Sequence, residues 1–90
     1  MITWITGIPN TGKTTLAKGI QENHKNIIHL DIDILRPLFN QRNYVLFLIN
    51  ISKLALILSE QGHDVVISGY VWDKAKSAVT ETCNPEWIEL

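Results

Sequence analysis

Short, continuous apolar runs alternate along this chain with stretches of helical periodicity. Ile2-Thr3-Trp4-Ile5-Thr6 reads as a first strand, and the segment from about Lys13 to Asn23 as a helix. Asn26 to Asp31 reads as a second strand. A short helix from Ile32 to about Phe39 ends near Asn40, with Pro37 early enough in it to be tolerated. Tyr44 to Gln61 is a long apolar helix stopped by Gly62. His63 to Ser68 is a third strand. Asp73 is a candidate N-cap for a helix from Lys74 to about Thr82, which Asn84-Pro85 breaks. Trp87 to Leu90 begins a fourth strand. This alternation predicts an α/β fold over residues 1–90 as one domain, with about four parallel strands and helices on both faces. Runs without polar alternation fit strands covered on both sides. In such sheets ligands sit at the carboxyl ends of the strands. The segments after strands one, two and three should therefore meet at one edge.

The segment after strand one is Gly7-Ile8-Pro9-Asn10-Thr11-Gly12-Lys13-Thr14, the pattern G-x-x-x-x-G-K-[ST] of a phosphate-binding P-loop. Its flanks are what the mechanism needs. A strand that feeds this loop into a helix aims backbone N–H groups and the positive helix end at one anion. Gly7 and Gly12 let the backbone curl close to phosphate. Lys13 reaches the β- and γ-phosphates, and the Thr14 hydroxyl can ligate Mg²⁺. Thr15 completes the nucleotide-binding set. The expected cofactors are ATP and Mg²⁺. The expected architecture is thus a P-loop NTPase-type sheet, pared to a minimum.

Composition narrows the field. Ninety residues with 46% apolar content can bury a small core. A net charge of −1 leaves no basic stripe that would mark a nucleic-acid binder. The lone Cys83 gives no disulfide framework, which fits a reducing cytosol and a cytoplasmic location. The N-terminus lacks the shape of a signal peptide, and the apolar stretch from Tyr44 to Leu58 is shorter than a membrane span. His24, His29 and His63 have no metal-ligand spacing and read as surface or strand-end residues. Lys74 and Lys76 read as a solvated face, with a place at the phosphate edge as the alternative. Trp4 and Trp87 read as core, and Trp72 as a packed loop residue near the substrate edge.

After strand two comes Leu30-Asp31-Ile32-Asp33-Ile34-Leu35-Arg36, a D-x-D-x-x-R arrangement. One aspartate can hold Mg²⁺, and the other can orient or deprotonate a substrate hydroxyl. Arg36 can clamp an anionic group. The plainer alternative is an aspartate that caps the next helix beside a solvated neighbour.

Together these segments resemble adenylylsulfate kinase, and more broadly the P-loop small-molecule kinases with D-x-D on strand two. The likeness runs through Ser52-Lys53-Leu54-Ala55, Gln61-Gly62 and Val66-Ile67-Ser68, nearly the whole chain. It implies ATP-dependent phosphoryl transfer to a hydroxyl of a small-molecule acceptor. Lys13, Asp31 and Asp33 would be catalytic, Thr14 and Asp31 would hold the metal, and Asp33, Arg36, Arg42 and Ser68 would bind the acceptor. The chain departs from the family in several places. Ile32 stands where those kinases have glycine, and Ser68-Gly69-Tyr70 where they have Ser-Pro-Tyr or Ser-Pro-Phe. Asn43-Tyr44-Val45-Leu46-Phe47 replaces a segment with two arginines, one of which Arg42 can stand in for. The family's lid, last strand and adenine-binding loop have no counterpart here. The rival expectation is therefore a nucleotide-binding module without turnover. A helix from Tyr44 to Gln61 that is apolar on nearly every side, with Leu46, Phe47 and Ile49 turned to water, also predicts a homo-oligomer through that helix.

Overall fold

The computed structural model describes residues 1–8, 11–24, 26–39 and 42–90. The elements follow in the order β1 (Ile2–Thr6), α1 (Lys13–Asn23), β2 (Ile27–Asp31), α2 (Ile32–Leu35), a 3₁₀ turn (Arg36–Leu38), α3 (Tyr44–Glu60), β3 (Asp64–Ser68), α4 (Asp73–Cys83) and β4 (Glu86–Glu89). The segment after β2 is thus one short α-turn tightened into 3₁₀ geometry, because Pro37 removes a backbone donor. Its expected end near Asn40 lies outside the described residues.

All strand pairs are parallel, in the order β2-β3-β1-β4. Register sets the function of each row. Leu30, Ile67, Trp4 and Trp87 lie side by side across the sheet. They pack with Phe47, Leu48, Ile51, Ala55, Ala75 and Val79 from α3 and α4 into the larger core. The next row, Asp31, Ser68, Ile5 and Ile88, points to the opposite face, since successive strand side chains alternate. There Ile5 and Val66 meet Ala17 of α1 in a smaller cluster. Helices cover both faces, as the unbroken apolar strands require. Trp4 is fully buried, and its indole N–H donates to the Gly69 carbonyl at 3.1 Å.

Local signals explain the helix ends. The Asn43 side chain accepts from Leu46 N at 3.2 Å and caps α3, a contact worth about 1 kcal/mol. At the other end Gly62 adopts φ 94°. Its N–H donates to Ser59 O at 3.0 Å and His63 N–H donates to Leu58 O at 3.1 Å, the paired bonds of a Schellman stop. Asp73 is not the cap of α4: it is the first helical residue, the N-cap is Trp72, and no side chain caps this end.

One expectation about α3 changes. Phe47 is 1% exposed, edge-on to Phe39 and tilted against Tyr44, so it belongs to the core and not to an outer face. Leu46, Leu56 and Ile57 keep 42%, 37% and 52% of their surface in water. Among the described residues, no helix is long and apolar enough to cross a membrane.

Candidate phosphate and acceptor site

The carboxyl ends of β1, β2 and β3 do bring the motifs to one edge. Gly7, at the end of β1, is buried, and an added Cβ would lie 2.7 Å from Thr11 Oγ1 and 3.1 Å from Leu90 O. A side chain there would displace the Thr11 hydroxyl and crowd the Leu90 carbonyl. Ile8 O accepts from Thr11 Oγ1 at 2.8 Å and from Lys13 Nζ at 3.4 Å. Gly12 holds φ 85°, the left-handed turn that aims the chain into α1. Lys13 is 8% exposed, so its stem is buried along the helix while its ammonium stays against the loop. Thr14 and Thr15 follow in the first turn. Pro9 and Asn10, also assigned to nucleotide, lie outside the described residues.

Asp31 ends β2, and its two carboxylate oxygens divide their work. Oδ1 accepts from Asp33 N at 2.9 Å and caps α2. Oδ2 is the acceptor for Thr14 Oγ1 at 3.4 Å, across 17 residues of sequence. The capping reading of this aspartate therefore holds, and its second oxygen is turned toward Thr14. Two hard oxygen donors converging beside the Gly7–Thr14 loop are of the type Mg²⁺ prefers. Among the described residues, no group of three or more His, Cys, Asp or Glu forms a cluster able to hold a metal.

Asp33 and Arg36 are exposed and flank Tyr44. The Arg36 guanidinium lies 4.3 Å from the Tyr44 ring centroid, and the opposing fields of Arg36 and Asp33 both reach the phenol. Burial nonetheless dominates and pushes the Tyr44 hydroxyl above its ordinary range. That hydroxyl donates to Tyr70 O at 3.2 Å, and the ring stacks on Trp72 at 5.1 Å and 19°. Arg36, Tyr44 and Trp72 thus form a contiguous stack beside Asp33. Arg42 is exposed one residue before the α3 cap.

Ser68 is not open to an acceptor. It is 1% exposed, and its Oγ lies 2.7 Å from His29 Nε2. His29, read from sequence as a plain strand-end residue, is half-buried. Burial, first, holds its pKa below the ordinary value, partly opposed by Asp31 and reinforced by Lys18.

A cavity of about 280 Å³ opens beside the loop, bounded by Gly7, Ile8, Tyr70, Trp72, Asp73 and Lys76. Thr6 Oγ1 accepts from Val71 N at 2.8 Å and ties the wall after β3 to the P-loop strand. Lys76 pairs with Glu89 and lies 5.5 Å from the Trp87 centroid, so it is a cavity residue and not a solvated one. Its position after strand three was the available signal. Tyr44 gave none, because in sequence it is one more apolar residue in an apolar helix.

No family model matches the chain. It is similar to cytidine diphosphoramidate kinase of Campylobacter jejuni, with 30% identity over 76 residues, covering 74% of this chain and 45% of that protein. The chain thus spans about half the length of that curated relative. Its fold is also that of the crystal structure of APE1195, with a TM-score of 0.81 over 99% of this chain and 57% of that one, at 24% identity.

Proposed function

We propose that this chain binds Mg²⁺-ATP at the Gly7–Thr14 loop and transfers the γ-phosphoryl group to a hydroxyl of a small acceptor. The observation that carries this reading is the 3.4 Å approach of Thr14 Oγ1 to Asp31 Oδ2 beside buried Lys13. Two separate βα units supply the two oxygens. The similarity to a kinase supports the same reading.

The Gly7 to Thr14 backbone and Lys13 would bind the phosphates and balance their charge. Thr14 and Asp31 would hold the metal, which when bound neutralises the charge gathering on the transferred group. Asp33 would orient the acceptor hydroxyl and take its proton as the new O–P bond forms and the bond to the β-phosphate oxygen breaks. Arg36, with Arg42 near it in sequence, would engage acceptor anions. Positioning and charge stabilisation are most of what phosphoryl transfer requires.

The acceptor class we favour is a nucleotide of the adenylylsulfate kind. The relative is named for cytidine diphosphoramidate, which like adenylylsulfate joins a nucleoside phosphate to a second polar group. The cavity of about 280 Å³ beside the Trp72 ring has space and stacking surface for part of such a molecule.

Calorimetry of Mg²⁺-ATP with wild type and Lys13→Ala tests the nucleotide site. Loss of a charge-assisted contact should weaken binding by about ten- to a hundred-fold. Equal affinities would refute it. A transfer assay over nucleotide and sugar acceptors tests turnover: Asp33→Asn should lower turnover far more than ATP affinity. ATP binding without transfer to any acceptor would leave a nucleotide-binding module.

A further inference from the structure

We infer that Tyr44 is a positioning residue for acceptor binding: its ring holds the Arg36 guanidinium ready for a tetrahedral oxyanion on the acceptor. This inference rests on the proposed kinase reading, in which Arg36 engages that group. Tyr44 opens α3, where the Asn43 cap fixes the start of the helix. Three contacts hold its half-buried ring. Trp72 stacks on it at 5.1 Å and 19°, Phe47 packs against it at 5.8 Å and 38°, and its hydroxyl donates to Tyr70 O at 3.2 Å. Phe47 belongs to the core, while Tyr70 and Trp72 line the cavity beside the P-loop. The ring is thus a fixed platform between α3 and the segment after β3.

Arg36 is the opposite case. It is exposed and sits in the 3₁₀ turn, followed by Pro37. An exposed arginine samples many rotamers, and binding an anion must order it. Tyr44 does that ordering in advance, because the guanidinium carbon lies 4.3 Å from its ring centroid. Stacking occupies only the face of the guanidinium. The N–H donors lie in its plane, in a fork that matches the edge of a phosphate or sulfate. Among the described residues no carboxylate pairs with Arg36, so the fork is open to a ligand. Asp33, one turn earlier, is tied by its N–H to Asp31 Oδ1 at 2.9 Å. One short segment therefore addresses both the acceptor hydroxyl and the acceptor anion, and Tyr44 steadies the end that would otherwise move.

The test is calorimetric binding of adenylylsulfate and of cytidine diphosphate, each against its own uncharged nucleoside. The proteins are wild type, Arg36→Ala, Tyr44→Leu, Tyr44→Phe and the Arg36→Ala/Tyr44→Leu double variant. Circular dichroism checks folding, and Tyr44→Met replaces Tyr44→Leu if that chain does not fold. At least one nucleotide should bind wild type more tightly than its nucleoside, and Arg36→Ala should weaken it by about ten- to a hundred-fold. Tyr44→Leu should weaken it by about two- to fivefold, the worth of an exposed cation–ring contact, and by nothing further once Arg36 is gone. Tyr44→Phe keeps the ring and should lose less than Tyr44→Leu. Nucleoside and Mg²⁺-ATP affinities should stay within about twofold throughout. No loss in Tyr44→Leu, an equal loss for the nucleoside, or the same loss with and without Arg36 overturns the inference, the last two marking a packing role. A wild type that binds neither nucleotide better than its nucleoside also overturns it, while Mg²⁺-ATP binding lost in Lys13→Ala would leave the nucleotide site standing. Wild type that binds no Mg²⁺-ATP overturns the kinase reading itself.

Discussion

Substituting Gly69 by alanine should destabilise this protein, and removing the side chain at position 32 should reverse the sign. An ideal Cβ on Gly69 would sit 2.4 Å from Ile32 Cγ1 and 2.5 Å from Ile32 Cβ. Ile32 is 1% exposed and β-branched, so it has no rotamer to retreat to. Overpacking of this kind costs about 1–3 kcal/mol, and each kcal/mol lowers Tm by about 4–8 °C in a domain this small. The backbone is no obstacle, because the glycines with positive φ are Gly12 and Gly62. In an Ile32→Gly background the clash is gone. Gly69→Ala should then be favourable by about 0.4–1 kcal/mol through the unfolded chain. The expected coupling is roughly 1.5–4 kcal/mol. Ile32→Ala is the wrong partner, since its Cβ would remain at 2.5 Å. Urea titrations of the four proteins, followed by circular dichroism, measure the cycle. Additivity within about 0.5 kcal/mol would refute the reasoning.

Cys83 should steepen the alkaline loss of stability. Burial raises its thiol pKa, partly countered by the neighbouring Ser52 side chain. The native chain thus keeps a proton that the unfolded chain gives up, so the stability contributed is complete below the ordinary thiol value and is lost as pH rises through the native one. Cys83→Ala should flatten that limb in urea titrations; an unchanged slope would count against it. Self-association through α3, if it forms, must use Leu46, Leu56 and Ile57. Light scattering should then give a dimer that Ile57→Glu converts to monomer, and a wild-type monomer at high micromolar concentration would refute it.

The legible parts of this sequence were those with local causes. Apolar runs, the Gly12 and Gly62 turns and the Asn84-Pro85 break placed the ends of most elements within a residue. The Gly7–Thr14 and D-x-D segments could be placed at one edge because each directly follows a strand of a parallel sheet. What escaped depended on neighbours distant in sequence. Phe47 looked like an outward residue because it joins a core whose strand residues, Trp4 and Ile67, lie far from it in sequence. Ser68 looked like a substrate ligand because its partner, His29, lies 39 residues earlier. Asp73 looked like a cap, but the chain enters α4 one residue sooner.

The two faces of the sheet are not independent. Leu30, Ile67 and Trp4 are locked in one row by α3 and α4, and this fixes Asp31, Ser68 and Ile5 in the next row on the other face. A slip of β2 by a single residue would carry its apolar set out of the core, so burial strongly specifies the register. It would also carry Asp31 away from Thr14 and His29 away from Ser68. The larger core therefore does more than hold the chain folded. It sets the alignment by which a carboxylate at the end of one strand meets a hydroxyl at the start of a helix that follows another.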